Sequence, residues 1–223
     1  MEETLQPQPN TGIGGKTIRY LQMRLLIKGV EFIQKRFFLS FNSEYSEKRL
    51  QEKLRICPFS GSREEKMAYA EKLEEELREN IIKQINLRHA KWFNPTFIIT
   101  KLHEKRKQIL EANSLNLEIQ TSNFIMNGTV HVKYLIRKGN QAIDLDLKSV
   151  FQNLKVYPPY RPYLVFQTMG KVYQYREMPF GTQHFPIFFA QALAMGLTKI
   201  RRESDKRIHY YLDDLLFLHC NQQ

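Results

Sequence analysis

The chain of 223 residues has only two cysteines, Cys57 and Cys220, far apart in sequence. Two thiols at that spacing match neither a disulfide framework nor a zinc pattern, so a reduced, intracellular setting is the expectation. Long apolar runs are also missing. No stretch is long enough to span a bilayer, and residues 1–15, polar and rich in Gln, Pro and Gly, lack the apolar centre of a signal peptide. There is no internal repeat. Acidic residues are in the minority: 23 Asp and Glu face 34 Lys and Arg, for a net charge of +11 and a pI of about 9.6. That balance suits a polyanionic partner, nucleic acid first and an anionic membrane surface second. The plain alternative is a basic surface with no such partner.

Core material is not lacking. Hydrophobic residues make up 42% of the chain, too many for a disordered polymer. Residues 1–15 read as a flexible leader. Residues 16–61 read as a basic N-terminal extension of helical character, because Lys and Arg interleave with apolar residues, as in Leu21-Gln22-Met23-Arg24-Leu25-Leu26-Ile27-Lys28. The main folded unit is expected over 62–223. Ser62 followed by Glu64 and Glu65 reads as a helix start, and Met67, Ala70, Leu73, Leu77 and Ile81-Ile82 keep helical spacing towards Leu87.

Asn94-Pro95 ends that region, and Thr96 to Thr100 is β-branched and aromatic, hence a strand. Lys101 to Lys107 is a basic turn before Gln108-Ile109-Leu110, so a hairpin with a cationic tip is expected. Val130 to Ile136 fits a helix or a strand. Ala142 to Leu147 reads as a strand with Asp144 and Asp146 on one face and Ile143, Leu145 and Leu147 on the other. Met178-Pro179-Phe180-Gly181-Thr182 is a turn. Pro186 opens a helix whose stripe is Phe189, Leu193, Leu197 and Ile200.

The densest chemistry lies in His209-Tyr210-Tyr211-Leu212-Asp213-Asp214-Leu215-Leu216-Phe217-Leu218. Two apolar runs flank adjacent carboxylates, which reads as a hairpin with acids at its tip. Paired acids repel, so either a cation sits nearby or the acids simply face water. If the strand ending at Asp146 lies beside that hairpin, Asp146, Asp213 and Asp214 converge and could hold two divalent ions for phosphoryl transfer. Hard oxygen ligands select Mg2+ or Mn2+. Phe151, just past Asp146, could wall off a sugar 2′ position or be an ordinary core ring. The Phe180-Gly181 turn would let backbone approach a nucleotide. Lys101, Lys105, Arg106 and Lys107 could grip triphosphate or template phosphates, or form a solvated tip.

The order of these segments is distinctive: Asn94-Pro95-Thr96-Phe97-Ile98-Ile99, Leu115-Asn116, Leu145-Asp146-Leu147-Lys148-Ser149-Val150-Phe151, Met178-Pro179-Phe180-Gly181-Thr182-Gln183-His184-Phe185-Pro186, and Tyr211-Leu212-Asp213-Asp214. Over about residues 65–220 it resembles the reverse transcriptases of retroelements, and within them most the DIRS-like, tyrosine-recombinase retrotransposons. The resemblance implies an α+β right-hand polymerase with fingers and an incomplete palm (an antiparallel sheet backed by helices) and no thumb. It implies RNA-directed DNA synthesis on a template-primer from dNTPs. Asp146, Asp213 and Asp214 match the metal-binding catalytic acids, with Mg2+ or Mn2+ as the two ions. Phe151 matches the ring that excludes ribonucleotides, Phe180 and Gly181 the turn lining the nucleotide pocket, and Lys101 and Lys107 the triphosphate contacts. Asp144 has no counterpart in that ligand set.

Departures accompany the match. Lys105-Arg106-Lys107-Gln108 stands where the family reads Lys-Trp-Arg-Lys, and Glu111 stands for an Asp, as in a drifting copy. The family continues past the acidic hairpin into further palm, thumb and often ribonuclease H. Here the sequence given stops five residues after Leu218. The expectation is therefore a polymerase domain that is weak or inactive by itself. The rival readings are a non-catalytic remnant that grips nucleic acid, a purely structural or interaction fragment, and an RNA-templated RNA polymerase, against which Phe151 argues.

Overall fold

The structure, a computed structural model, describes residues 37–100, 106–121, 129–147, 154–204, 207–211 and 214–220. Its helices are α1 (Ser46–Glu52), α2 (Arg63–Arg78), α3 (Asn113–Leu117), α4 (Thr129–Leu135) and α5 (Phe185–Glu203). Its strands are β1 (Ile82–Ile85), β2 (Thr96–Thr100), β3 (Arg106–Leu110), β4 (Asn140–Asp146), β5 (Val165–Thr168), β6 (Lys171–Tyr175), β7 (Arg207–Tyr211) and β8 (Asp214–Cys220). The strands form three antiparallel sheets: β1-β6-β5, the pair β2-β3, and β4-β8-β7. Helices mixed with antiparallel sheet make this an α+β fold.

The segment Val130–Ile136, ambiguous in sequence, is helical as α4. Helix α2 starts at a complete capping box: Ser62 Oγ accepts from Glu65 N, and Glu65 Oε2 accepts from Ser62 N at 2.7 Å. It ends earlier than its periodicity suggests. Asn80 takes φ 63°, Ile81 N donates to Glu76 O at 2.9 Å, and Asn80 N donates to Leu77 O at 3.0 Å. These two bonds are a Schellman closure with Asn in the left-handed position, so Ile82 onward is free to become a strand.

The covered face of α2 also differs from the expected one. Ala68, Tyr69, Leu73 and Glu76 are buried, whereas Met67 is 60% exposed. Tyr69 meets Thr96 Oγ1 at 2.6 Å and accepts from Gln108 Nε2 at 3.0 Å, tying the helix to β2 and β3. Glu76 is buried near Tyr175 of β6, and its Oε2 has no hydrogen-bond partner among the described residues. Burial pushes that carboxyl up to about 8.

The main core gathers Tyr69, Leu73, Ile82, Trp92, Leu110, Leu115, Val156, Phe166, Tyr175 and Phe189, among others. Residues 37–61, assigned in sequence to the N-terminal extension, join this core. Phe37, Leu39 and Leu50 are buried in it, Phe37 bridges Val156, and α1 is their one helix. Arg49 of α1 holds Glu118 at 2.6 Å. Segments that share a core through non-local bridges act as one unit. The leader (1–15) and the basic segment up to residue 36 lie outside the described residues.

Helix α5 carries Pro186 in its first turn; of its expected stripe, Phe189 joins the main core, Leu197 with Leu193 covers a second cluster that includes Ile208 and Leu215, with Tyr210 and Phe217 packed around it, and Ile200 is exposed. Leu147 touches both cores. Among the described residues no helix is long and apolar enough to cross a membrane.

Candidate active site

The acidic positions meet through the register of β4-β8-β7. Strand β8 is central. It pairs with β4 from Asn140↔Cys220 to Asp146↔Asp214, and with β7 from Arg207↔Leu218 to Tyr211↔Asp214. Positions 146, 214 and 211 therefore form one rung at the end of the sheet.

Period-two alternation sorts the two faces. Leu215 and Phe217 of β8, with Ile208 and Tyr210 of β7, pack towards α5. Asp214 and Tyr211 belong to the opposite face, and both are exposed. At the far end of β7 lies α4, where the Arg207 guanidinium donates to the Leu135 carbonyl and to Asn140 Oδ1 (2.7 Å). Among the described residues the acid end thus shows exposed side chains, while the other end is tied down.

Like charges placed opposite each other in an antiparallel pair oppose folding by a few tenths of a kcal/mol to about 1 kcal/mol. The rung has an acid at two of its three positions and no basic residue. Asp213, Lys101 and Phe151 lie outside the described residues. Among the described residues no three His, Cys, Asp or Glu side chains cluster to hold a metal.

A second group of sequence-singled residues meets elsewhere. Lys107 of β3 places its ammonium 4.5 Å from the centroid of the Phe180 ring, a cation–π contact. Leu110 N donates to Phe180 O at 2.9 Å, which docks the end of β3 on the turn. Gly181 has φ 116°, and a Cβ there would lie 1.8 Å from the Leu110 carbonyl oxygen. Glycine is thus required by close approach to β3 and by its backbone angle. Gly181→Ala is expected to cost about 3 kcal/mol or more from strain and overlap together. Thermal denaturation should show a melting point lower by roughly 6–12 °C; a change within about 2 °C would contradict this packing account.

The reverse transcriptase (RNA-dependent DNA polymerase) family matches residues 78–223, well over half of the chain. The chain belongs to this family. Among known proteins, the putative enzymatic polyprotein of Cassava vein mosaic virus is 24% identical over 156 residues, covering 65% of this chain and 22% of that protein. The Pol polyprotein of Equine infectious anemia virus (strain Wyoming) is 26% identical over 130 residues, 55% of this chain and 11% of that protein. The Gag-Pro-Pol polyprotein of Mouse mammary tumor virus (strain BR6) is 23% identical over 156 residues, 64% of this chain and 9% of that protein. The chain therefore corresponds to a minor part of each of these relatives.

Two motifs of this reverse transcriptase domain that carried no assigned role in sequence have structural ones. Asn94 is fully buried. Its Oδ1 accepts from Trp92 Nε1 at 3.1 Å, and its Nδ2 donates to Tyr163 O at 2.8 Å and Val165 O at 3.3 Å, locking the approach to β2 onto β5. Asn116 Nδ2 donates to Gly181 O at 3.0 Å, and its Oδ1 accepts from Gln183 N at 3.0 Å. The adjacent Leu-Asn letters could have flagged Asn116, since a polar residue after a buried Leu115 needs partners. Gln183 stood within the quoted Met178–Pro186 segment without an assigned role.

Proposed function

We propose that this chain is the polymerase module of a retrotransposon of the DIRS-like kind, extending a primer on an RNA template with dNTPs in an intracellular setting. In this reading β2-β3 belongs to the fingers and β4-β8-β7 to the palm. The single observation that carries it is the rung that sets position 146 opposite Asp214 at the acid end of the sheet.

The donor set fits a hard divalent cation, because the rung contributes carboxylates and no thiol or imidazole. Asp146, Asp213 and Asp214 are the residues that would hold two Mg2+ or Mn2+ ions, which when bound make a primer 3′-hydroxyl more acidic and neutralise the leaving pyrophosphate. The protein's own part is positioning. Phe180 and Gly181 line the nucleotide pocket, Lys107 and Lys101 supply cations for the triphosphate, and Phe151 stands against a ribose 2′-hydroxyl. The net charge of +11 draws the template-primer towards the domain.

The test is extension of a primed RNA template by the purified chain with Mg2+, where incorporation is expected to be measurable yet slow, as for a polymerase module that is weak by itself. Incorporation of dNTPs is expected to exceed that of rNTPs by about a hundredfold or more, and Phe151→Ala should reduce that ratio at least about tenfold, the scale of a lost steric contact. Salt-sensitive binding of RNA with no incorporation at all would favour the non-catalytic, nucleic-acid-gripping reading instead.

A further inference from the structure

The geometry points to Gln183 as a positioning residue that, with Asn116, sets the backbone of the Phe180–Gly181 turn and through it the nucleotide pocket. This rests on the polymerase reading above.

Helix α3 is one and a half turns long; Leu115 O and Asn116 O near its end accept from Glu118 N at 3.0 Å and Ile119 N at 3.3 Å. Gln183 reaches across from the other segment to Asn116 O and to the carbonyls of Ile119 and Gln120 just past the helix. Its Nε2 lies 3.1 Å from Asn116 O, 2.9 Å from Ile119 O and 3.4 Å from Gln120 O. A primary amide has two N–H donors, so three carbonyls share them. His184 Nε2 adds a fourth bond, to Gln120 O, from a ring that is 5% exposed.

Asn116 completes the exchange from its side. Its amide donates to Gly181 O and accepts from Gln183 N, each at 3.0 Å. The turn is consequently held on two flanks. Leu110 N binds Phe180 O on the β3 side, and the Asn116–Gln183 pair binds Gly181 O and Gln183 N on the α3 side. Phe180, the ring under the Lys107 ammonium, lies between these flanks. Loss of the α3-side bonds takes the Gln183 donors away from Ile119 O and its neighbours and lets the turn shift, while the acidic rung sits in a different sheet. Substrate placement should suffer and the chemical step should not.

Two isosteric variants isolate the donors. Gln183→Glu keeps size and removes both N–H groups. Asn116→Asp removes the bond to Gly181 O and keeps the acceptor for Gln183 N. Each is expected to raise KM for dNTP about tenfold, the scale of a sub-ångström misplacement, with kcat and the KM for template-primer changed less than about threefold. Gln183→Lys, whose ammonium offers three donors to the same carbonyls, should recover KM to within about threefold of the parent value.

Hydrogen exchange at residues 180–184 gives an independent readout and should quicken in the first two variants and not in the third. Unchanged exchange in Gln183→Glu overturns the clamp whatever the activity. A fall in kcat at constant KM, or parallel losses that track a lower melting point, overturns the pocket role. Lack of incorporation by the parent chain overturns the polymerase reading and the nucleotide role with it, while the exchange result still decides the clamp.

Discussion

Asp214→Asn is expected to lower primer extension about a thousandfold, corresponding to a loss of about 4 kcal/mol of transition-state stabilisation. In the proposed reading Asp214 is a metal ligand: it begins β8, is exposed, and stands opposite position 146. Neutralising it would take away that ligand together with a carboxylate set against a second acid across the pair, a repulsion worth a few tenths of a kcal/mol to about 1 kcal/mol. Asp144 is the control. It lies on β4, the strand of position 146, opposite Leu216 of β8 and off the acidic rung. Asp144→Asn should leave extension within about threefold, because a carboxylate displaced by two residues along a strand is roughly 7 Å further off. Steady-state extension by both variants checks the pair of claims, with thermal melting to confirm that each is folded. Retention of more than about a tenth of the parent rate by Asp214→Asn would remove the catalytic role of the rung, since a lost metal ligand costs several kcal/mol.

The second large effect concerns stability and pH. Glu76 is buried between α2 and β6, and burial raises its carboxyl from the ordinary 4.5 to about 8, with the Lys72 ammonium acting in the lowering direction and Glu75 and Glu79 adding to the rise. The folded state thus keeps a proton that the unfolded chain gives up near pH 4.5. A group with a raised folded value supports the fold fully below the unfolded value, and that support is lost as pH climbs through the folded one. The contribution of Glu76 should therefore fall between about pH 4.5 and pH 8 and level off above. The whole change is on the order of 4–5 kcal/mol by linkage. Glu76→Gln, neutral at every pH, should flatten this slope and melt higher than the parent at pH 8. Urea denaturation at pH 5, 6.5 and 8 measures it; identical pH slopes in parent and variant would show that Glu76 is not titrating in this window.

The consequence reaches the functional region. Helix α2 holds β2 and β3 through Tyr69, Thr96 and Gln108, one turn or two from Glu76. Charging Glu76 loosens the same helix that seats the strand carrying Lys107, so the base of the hairpin should be the part of the domain most sensitive to alkaline conditions.

Much of the fold was legible locally. The β7 and β8 runs flanking the acids, the β2–β3 pair, and α5 with Pro186 in its first turn follow from period, flanking punctuation and propensity. The side of α2 that packs was not. Met67 and Leu77 keep helical spacing and yet are 60% and 37% exposed, while Tyr69 and Glu76 are buried. A helix with apolar residues on two adjoining stripes does not say which stripe a neighbour will cover, and a glutamate at a core position looks like surface until its surroundings exist. The end of α2 was readable in principle. Asn80 suits the left-handed closing position, but the apolar Ile81-Ile82 that follows carries the periodicity onward and hides the break.

The sequence alone determined that acids at 213 and 214 sit between two strand-forming runs, that Gly181 and Pro186 punctuate a turn and a helix, and that these segments occur in the family's order. Each depends on neighbours along the chain, where alternation, turn chemistry and charge spacing act. Only the tertiary structure decided that β8 lies between β4 and β7, that position 146 faces Asp214 across it, that Lys107 rests on Phe180, and that Gln183 reaches the carbonyls at and just past the end of α3. Those pairings join residues distant in sequence. Register and packing set them by burying one apolar face of each element, and no local pattern encodes which distant face that will be.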